Sequence, residues 1–464
     1  MLKNKILLLL IILLLPISIK ALEETTLLYE ENPTHYKGFH SVVIDEDNNI
    51  VVVGYDIDEA NNSYKSIISK YKPDGTLIWE KDFLTTDREN RAYGVALATD
   101  GYIVVGGSHV KTSDDDSDDD YDIYIYKISK DGEIVWHKEE SATGSDRLDK
   151  VVPVSDGFVG VGFATSEIYI SMEEYVDHNA YIRKVDNEGN KVWDHTFTGN
   201  GIDYYSNLAA DGDSIIAVGT TSSTDIEGIT NIDGYDGLVV KYNADGTIAW
   251  AKNYGREDYD EISYITVVED GYILAGSTGA LTRSERPQQK SYWFIKIDKN
   301  GNELWSQTYN IVNDETWSVV PVDNKFYAFG NTEDDNGYKS YVLEIEPTDD
   351  EIKINKTKYD KNVPTLFRDA VATNDGIIVV GFTRVAGTSD IFASPLIVKY
   401  TAKEETPEDT EHDSQDPVEE PTEEPQKQQE DNPKTGAFLT ASFVILIIVG
   451  LIVFNIRRGK IYNI

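Results

Sequence analysis

Carboxylates are the side chains of this sequence that recur at a fixed interval. Asp146, Asp203, Asp260 and Asp314 stand 57, 57 and 54 residues apart, each just ahead of a similar run. Acids at one repeated place are able to hold a cation, act as acid or base, or accept backbone N–H groups in turns. Recurrence favours the turn role, because a turn is repeated wherever the fold is. Asp260 and Asp314 are nonetheless the acids to test for binding, since they fall near the mouth of the channel that the repeats would enclose. Trp317 is the aromatic candidate at the same place.

A second acidic group runs from Asp114 to Asp120, broken only by Ser117. Asp114, Asp116, Asp118 and Asp120 would supply oxygen ligands to Ca²⁺, a hard cation that takes carboxylates. The run lacks the glycine and fixed spacing of an EF-hand loop, so a solvated charge run is the favoured reading. Other chemistry is sparse. Histidines at 35, 40, 109, 137, 178 and 195 show no metal-type spacing, and there is no cysteine. No serine elbow or phosphate loop occurs.

The elements that position these residues follow from two repeating phrases. Trp79, Trp136, Trp193, Trp250 and Trp305 are 57, 57, 57 and 55 residues apart, and each closes a phrase with Asp-Gly, Glu-Gly or Asn-Gly ahead of it. Asp-Gly or Asn-Gly between β-rich runs signals a hairpin. Tryptophan at one strand position serves packing between units before it serves a ligand. The second phrase is an apolar run ending in glycine, at Gly54, Gly106, Gly162, Gly219, Gly276, Gly330 and Gly381. Runs apolar on both faces suit strands lying between two sheets.

Each unit therefore reads as four short strands; around Trp136 they are 92–99, 101–107, 123–129 and 134–139. Seven such units predict an all-β fold, a seven-bladed β-propeller over residues 22–400. The last unit ends one strand short at Tyr400. The segment Thr26–Glu30 is expected to complete it and close the ring, with Tyr29 at the tryptophan position; Ile354 takes that position in blade six. The phrases resemble a loosely defined family of bacterial propeller repeats, a resemblance that implies fold only.

Length variation gathers in the loops between second and third strands: 108–120, 165–179, 220–236 and 277–291. They share a face with the links between blades, which marks that face as the working side. One of them carries Ile168, Tyr169, Ile170, Met172 and Tyr175, read as packing strand extension in preference to a contact patch.

The two ends speak of export and attachment. Lys3 and Lys5 precede an aliphatic core from Ile6 to Leu15, and Ala21 offers a small residue for cleavage, so 1–21 reads as a signal peptide. Residues 401–431 are rich in Glu, Asp, Pro, Gln and Thr and cannot bury enough apolar area to order, which predicts a disordered spacer. Asn432-Pro433-Lys434-Thr435-Gly436 follows, then the uncharged apolar segment 437–455, expected to span the membrane as a helix, and the basic tail 456–464.

This three-part arrangement resembles the cell-wall sorting signal of sortase substrates in Gram-positive bacteria, whose usual form is Leu-Pro-any-Thr-Gly. The resemblance implies that a sortase cysteine attacks the Thr435 carbonyl, releases Gly436 onward and joins Thr435 to peptidoglycan. Asn432 stands where leucine is usual, which leaves the sortase class open. Proline fixes its own φ and holds Asn432 extended, as a binding groove requires.

The formal net charge of −40 repels nucleic acid and anionic lipid and favours cations and basic partners. The expected function is a non-catalytic surface module that binds an extracellular protein or glycan. An enzyme acting on polysaccharide or peptide through acids at the channel mouth is the second reading, and a passive envelope protein the third.

Overall fold

The computed structural model describes residues 22–30, 36–58, 63–83, 88–110, 121–140, 145–165, 178–230, 234–256, 259–279, 291–309, 314–322, 325–334, 337–347, 352–359, 363–384 and 393–402. The chain divides into two units, Met1–Glu405 and Thr406–Ile464, and all described residues belong to the first. The 401–431 spacer beyond Ala402, the 432–436 motif and the expected spanning segment 437–455 lie outside them. Among the described residues no helix is long and apolar enough to cross a membrane.

Seven four-stranded antiparallel sheets form the fold, a seven-bladed β-propeller. In six blades the strands follow chain order from the channel outwards. The seventh takes Thr365–Thr373, Gly376–Arg384 and Ala393–Ala402, and its outermost strand is Leu22–Leu28 from the other end of the chain. That strand covers the edge of Ala393–Ala402, which would otherwise offer unpaired N–H and C=O groups.

Second strands carry the core, as their composition requires. Gly271–Gly279 is buried along its whole length, because both of its faces meet neighbouring sheets. Clusters of buried residues run from blade to blade: Val159, Val161 and Ile182 of blade three pack with Leu208, Ala217 and Val240 of blade four. With apolar burial contributing about 25 cal/mol per Å², these contacts stabilise the ring without any disulfide.

The repeated tryptophans latch neighbouring blades. Trp79, Trp136 and Trp193 donate Nε1–H to the carbonyls of Lys130, Asn187 and Ala244 in the hairpin turn of the next blade, at 3.2, 3.3 and 3.1 Å. Their rings lie against Gly132, Gly189 and Gly246 of those turns. In blade six the ladder pairs Glu344 with Asn355 and Ile345 with Ile354. Asn355 and not Ile354 therefore takes the tryptophan position, because this outermost strand lacks the register shift that precedes the tryptophan in the other blades.

Tyr29 is not at the tryptophan position. The ladder pairs Lys399 with Thr25, where the tryptophan-bearing blades pair lysine with tryptophan, as in Lys70 with Trp79. Leu27 covers Gly75 of the next turn, and Tyr29 packs further along with Tyr359, Phe367 and Tyr400. It belongs with Phe83, Phe197 and Tyr254, aromatics four residues beyond a tryptophan.

Candidate ligand-binding funnel

Every innermost strand breaks register once. The interruptions leave one unpaired residue per blade: His40, Tyr93, Asp149, Ser206, Ser263, Trp317 and Arg368. A β-bulge re-aims the side chain of its extra residue. All seven line one cavity of about 690 Å³ at the centre of the ring.

The glycine ending each apolar run makes the bulge possible. A Cβ at Gly54, Gly106, Gly162, Gly219, Gly276 or Gly381 would collide with the backbone carbonyl of Gly38, Arg91, Arg147, Tyr204, Glu261 or Leu366, just ahead of the bulge. The absent side chain lets the displaced strand approach.

The cavity is a funnel at the ends of the strands that meet the inter-blade links. Its wall also includes Arg91, Arg147, Tyr204 and Glu261, two residues ahead of their bulges, and Tyr55, Tyr64, Phe163 and Phe382 from outer strands. This is the face singled out by loop length. Deeper in the channel, Lys150 and Asn207 follow their bulges by one residue.

Charge in the funnel runs against the rest of the chain. Arg91, Arg147, Arg368 and Lys150 face only two carboxylates, Asp149 and Glu261, among its described lining residues. The net charge therefore misstates the partner that this cavity suits, because it averages over an acidic exterior. Aromatic faces hold the guanidiniums: Arg91 lies 3.7 Å from the Tyr64 ring centroid, Arg147 4.7 Å from Tyr93 and Phe163, and Arg368 4.3 Å from Trp317. Such cation–π contacts are worth about 0.5–2 kcal/mol each.

His40 sits among these cations. Burial first, then the charge of Arg368, pushes its pKa down to about 3, with Arg91 and Arg147 adding to the effect. The neutral ring stacks on Tyr93 at 5.0 Å and 7°. Its Nδ1 lies 3.0 Å from the Ala92 carbonyl, a contact that places the proton on Nδ1. Asp149 is held by Arg147 Nε at 2.9 Å, yet burial raises its pKa above the usual carboxylate value.

Three donors in this wall are buried without an acceptor among the described residues: Arg91 Nε–H, Trp317 Nε1–H and the Thr316 hydroxyl. Leaving a buried donor unmet costs roughly 1–3 kcal/mol. The wall is thus prepared for a ligand rich in acceptors.

The candidates read from sequence fall in different places. Trp317 is the bulge residue of blade six and stands in the funnel. Asp260 is fully buried beneath the rim, where Oδ2 accepts the Arg256 N–H at 2.5 Å; its neighbour Glu261 lines the cavity. Asp314 opens the innermost strand of blade six, Asp314–Val322, and its side chain lies outside the described residues. Asp146 and Asp203 bond loops in the same way, through the Thr165 N–H at 3.0 Å and the Ser223 hydroxyl at 2.8 Å. The aspartates at 114, 116, 118 and 120 and the apolar loop 168–175 lie outside the described residues. Among the described residues no group of His, Asp or Glu is placed to hold a metal ion.

No protein-family model and no curated protein matches this chain. Solved structures match in fold at low identity. The β-propeller domain of the Trilobed protease from Pyrococcus furiosus is 11% identical with a TM-score of 0.41, over 78% of this chain and 94% of that one. Sqt1 from Chaetomium thermophilum is 13% identical with a TM-score of 0.44, over 80% and 86%. The acylaminoacyl peptidase of Pyrococcus horikoshii is 13% identical with a TM-score of 0.41 over 79% of this chain, which spans about half (51%) of its length. These likenesses concern the fold alone.

Proposed function

We propose that this protein is a surface module, attached to peptidoglycan through Thr435, that binds an extracellular glycan or protein in the funnel without catalysis. One observation carries the binding reading. A backbone repeated seven times presents seven bulge residues of six different types to one cavity. A purely structural ring has no need of such variety, whereas a specific ligand does. Attachment is supported by Asn432–Gly436, the apolar segment after it and the basic tail.

Intact mass after peptidoglycan digestion tests attachment: the expected chain ends at Thr435 and carries a wall fragment. A chain still ending at Ile464 would mean a membrane-held protein. For binding, the full-length chain is offered to glycan and extracellular-matrix arrays beside Trp317→Ala. A ligand bound equally by both forms would place the site elsewhere.

A further inference from the structure

We propose that the funnel takes the acidic end of a saccharide, with a sugar carboxylate seated among Arg91, Arg147 and Arg368. The proposal rests on the funnel being the ligand site. The three arginines come from blades two, three and seven, which with His40 of blade one form a continuous arc of the wall. A guanidinium is a planar fork that meets a carboxylate through two parallel hydrogen bonds. Each of the three already lies on an aromatic ring, at 3.7 to 4.7 Å, so its orientation is set before a ligand arrives. Arg91 Nε–H is buried with no acceptor among the described residues, and an incoming oxygen would supply one.

The opposite arc, from blades four, five and six, has another character. Ser206, Asn207, Ser263 and Thr316 offer groups that both give and take hydrogen bonds, and Glu261 accepts them. Sugar hydroxyls require that mixture. Trp317 adds a flat apolar face and an Nε1–H without an acceptor among the described residues. The volume of about 690 Å³ is far more than one inorganic ion needs and within the ~300–1,000 Å³ of small-molecule sites.

Charge selects the anion. In the funnel and at its floor, Arg91, Arg147, Arg368 and Lys150 meet Asp149, Glu261 and Asp369 among the described residues. Four cations against three carboxylates match one further negative charge, that of a carboxylate, better than a phosphate dianion.

Calorimetric titration of the full-length chain tests this with a glucuronate-terminated tetrasaccharide, its carboxyl-reduced counterpart and inorganic sulfate. The acidic sugar is expected to bind at least tenfold tighter than the other two. Arg91→Met and Arg368→Met should each weaken it tenfold or more with little change in Tm. Arg368→Lys keeps the charge but not the fork; its expected loss is fivefold or more, and it serves if a methionine variant fails to fold. Equal binding of the reduced sugar overturns the carboxylate, and sulfate binding as tightly overturns the saccharide. Binding of neither sugar overturns the proposal. A ligand whose binding survives Trp317→Ala would instead sink the funnel reading beneath it.

Discussion

Lys150 of blade three reaches Asp369 of blade seven, Nζ to Oδ2 at 2.8 Å, and so ties together two blades that are not neighbours. Each residue follows its bulge by one position, which places the strut below the ring of bulge residues. The same oxygen accepts the Ser41 hydroxyl at 2.7 Å and the Val42 N–H at 3.2 Å, both from blade one. Removing one partner of a largely buried pair leaves an uncompensated charge. Lys150→Met should therefore lower stability by about 2–3 kcal/mol, measured from the urea midpoint. Lys150→Met with Asp369→Asn should cost less than the single change.

Trp193 and Gly246 make a second testable pair. Gly246 has φ +85°, and a Cβ there would lie 2.6 Å from the Trp193 ring. Gly246→Ala meets both backbone strain and a clash, and should cost ~1–3 kcal/mol. Trp193→Ala removes the ring and its bond to Ala244, at about 2–3 kcal/mol for a partly exposed aromatic. Without the ring, alanine at 246 retains only its backbone cost. The double variant should then lose less than the two singles added, as unfolding of all three would show.

The number of blades was legible because glycine-ended runs and tryptophans repeat in both type and spacing. The site was not, because its residues repeat in spacing alone: His40, Tyr93, Asp149 and Arg368 share no chemistry. A signal existed nonetheless. The bulge residue stands 13 residues before the run-ending glycine in six blades, and 14 before it in blade one. The acids that repeat in type as well as spacing serve the fold: Asp203 and Asp260 bond loops under the rim. Tyr29 mimics the tryptophan in sequence because the outer strands carry two aromatic positions four residues apart, and closure fills only the second. Blade six likewise has Asn355 at the first and Tyr359 at the second. Trp317 stood out only by breaking the tryptophan period.

Ring closure makes its own prediction. Leu22–Leu28 reaches the last strand through pairs from Leu22–Ala402 to Leu28–Ile397, and Glu30 N–H donates to the Ser394 hydroxyl at 2.7 Å. A chain beginning at Tyr36 would expose the edge of Ala393–Ala402 and leave Gly75 uncovered. Such an edge pairs with other chains. The truncated protein should melt at least 10 °C lower and form concentration-dependent aggregates in light scattering, while an added peptide of residues 22–30 should restore part of the loss. An unchanged Tm would show that three strands suffice for blade seven.

Two buried groups give stability opposite dependences on pH. His40 has a folded pKa of about 3 against 6.5 when exposed, so only the unfolded chain takes up its proton between those values. That uptake lowers stability as pH falls through this window. Asp236 behaves the other way: burial, and the nearby charge of Asp260, push its pKa up to about 6 from 3.8. Its stabilising contribution is full below pH 3.8 and lost as pH rises through 6. Asp236→Asn should therefore raise stability at pH 7.5 by about 1–2 kcal/mol and change little at pH 4. His40→Gln should flatten the loss between pH 6.5 and 4 without that gain at pH 7.5. Urea unfolding of both variants at pH 7.5 and pH 4 separates the two groups, and a wild-type acid profile retained in His40→Gln would assign the loss to other residues.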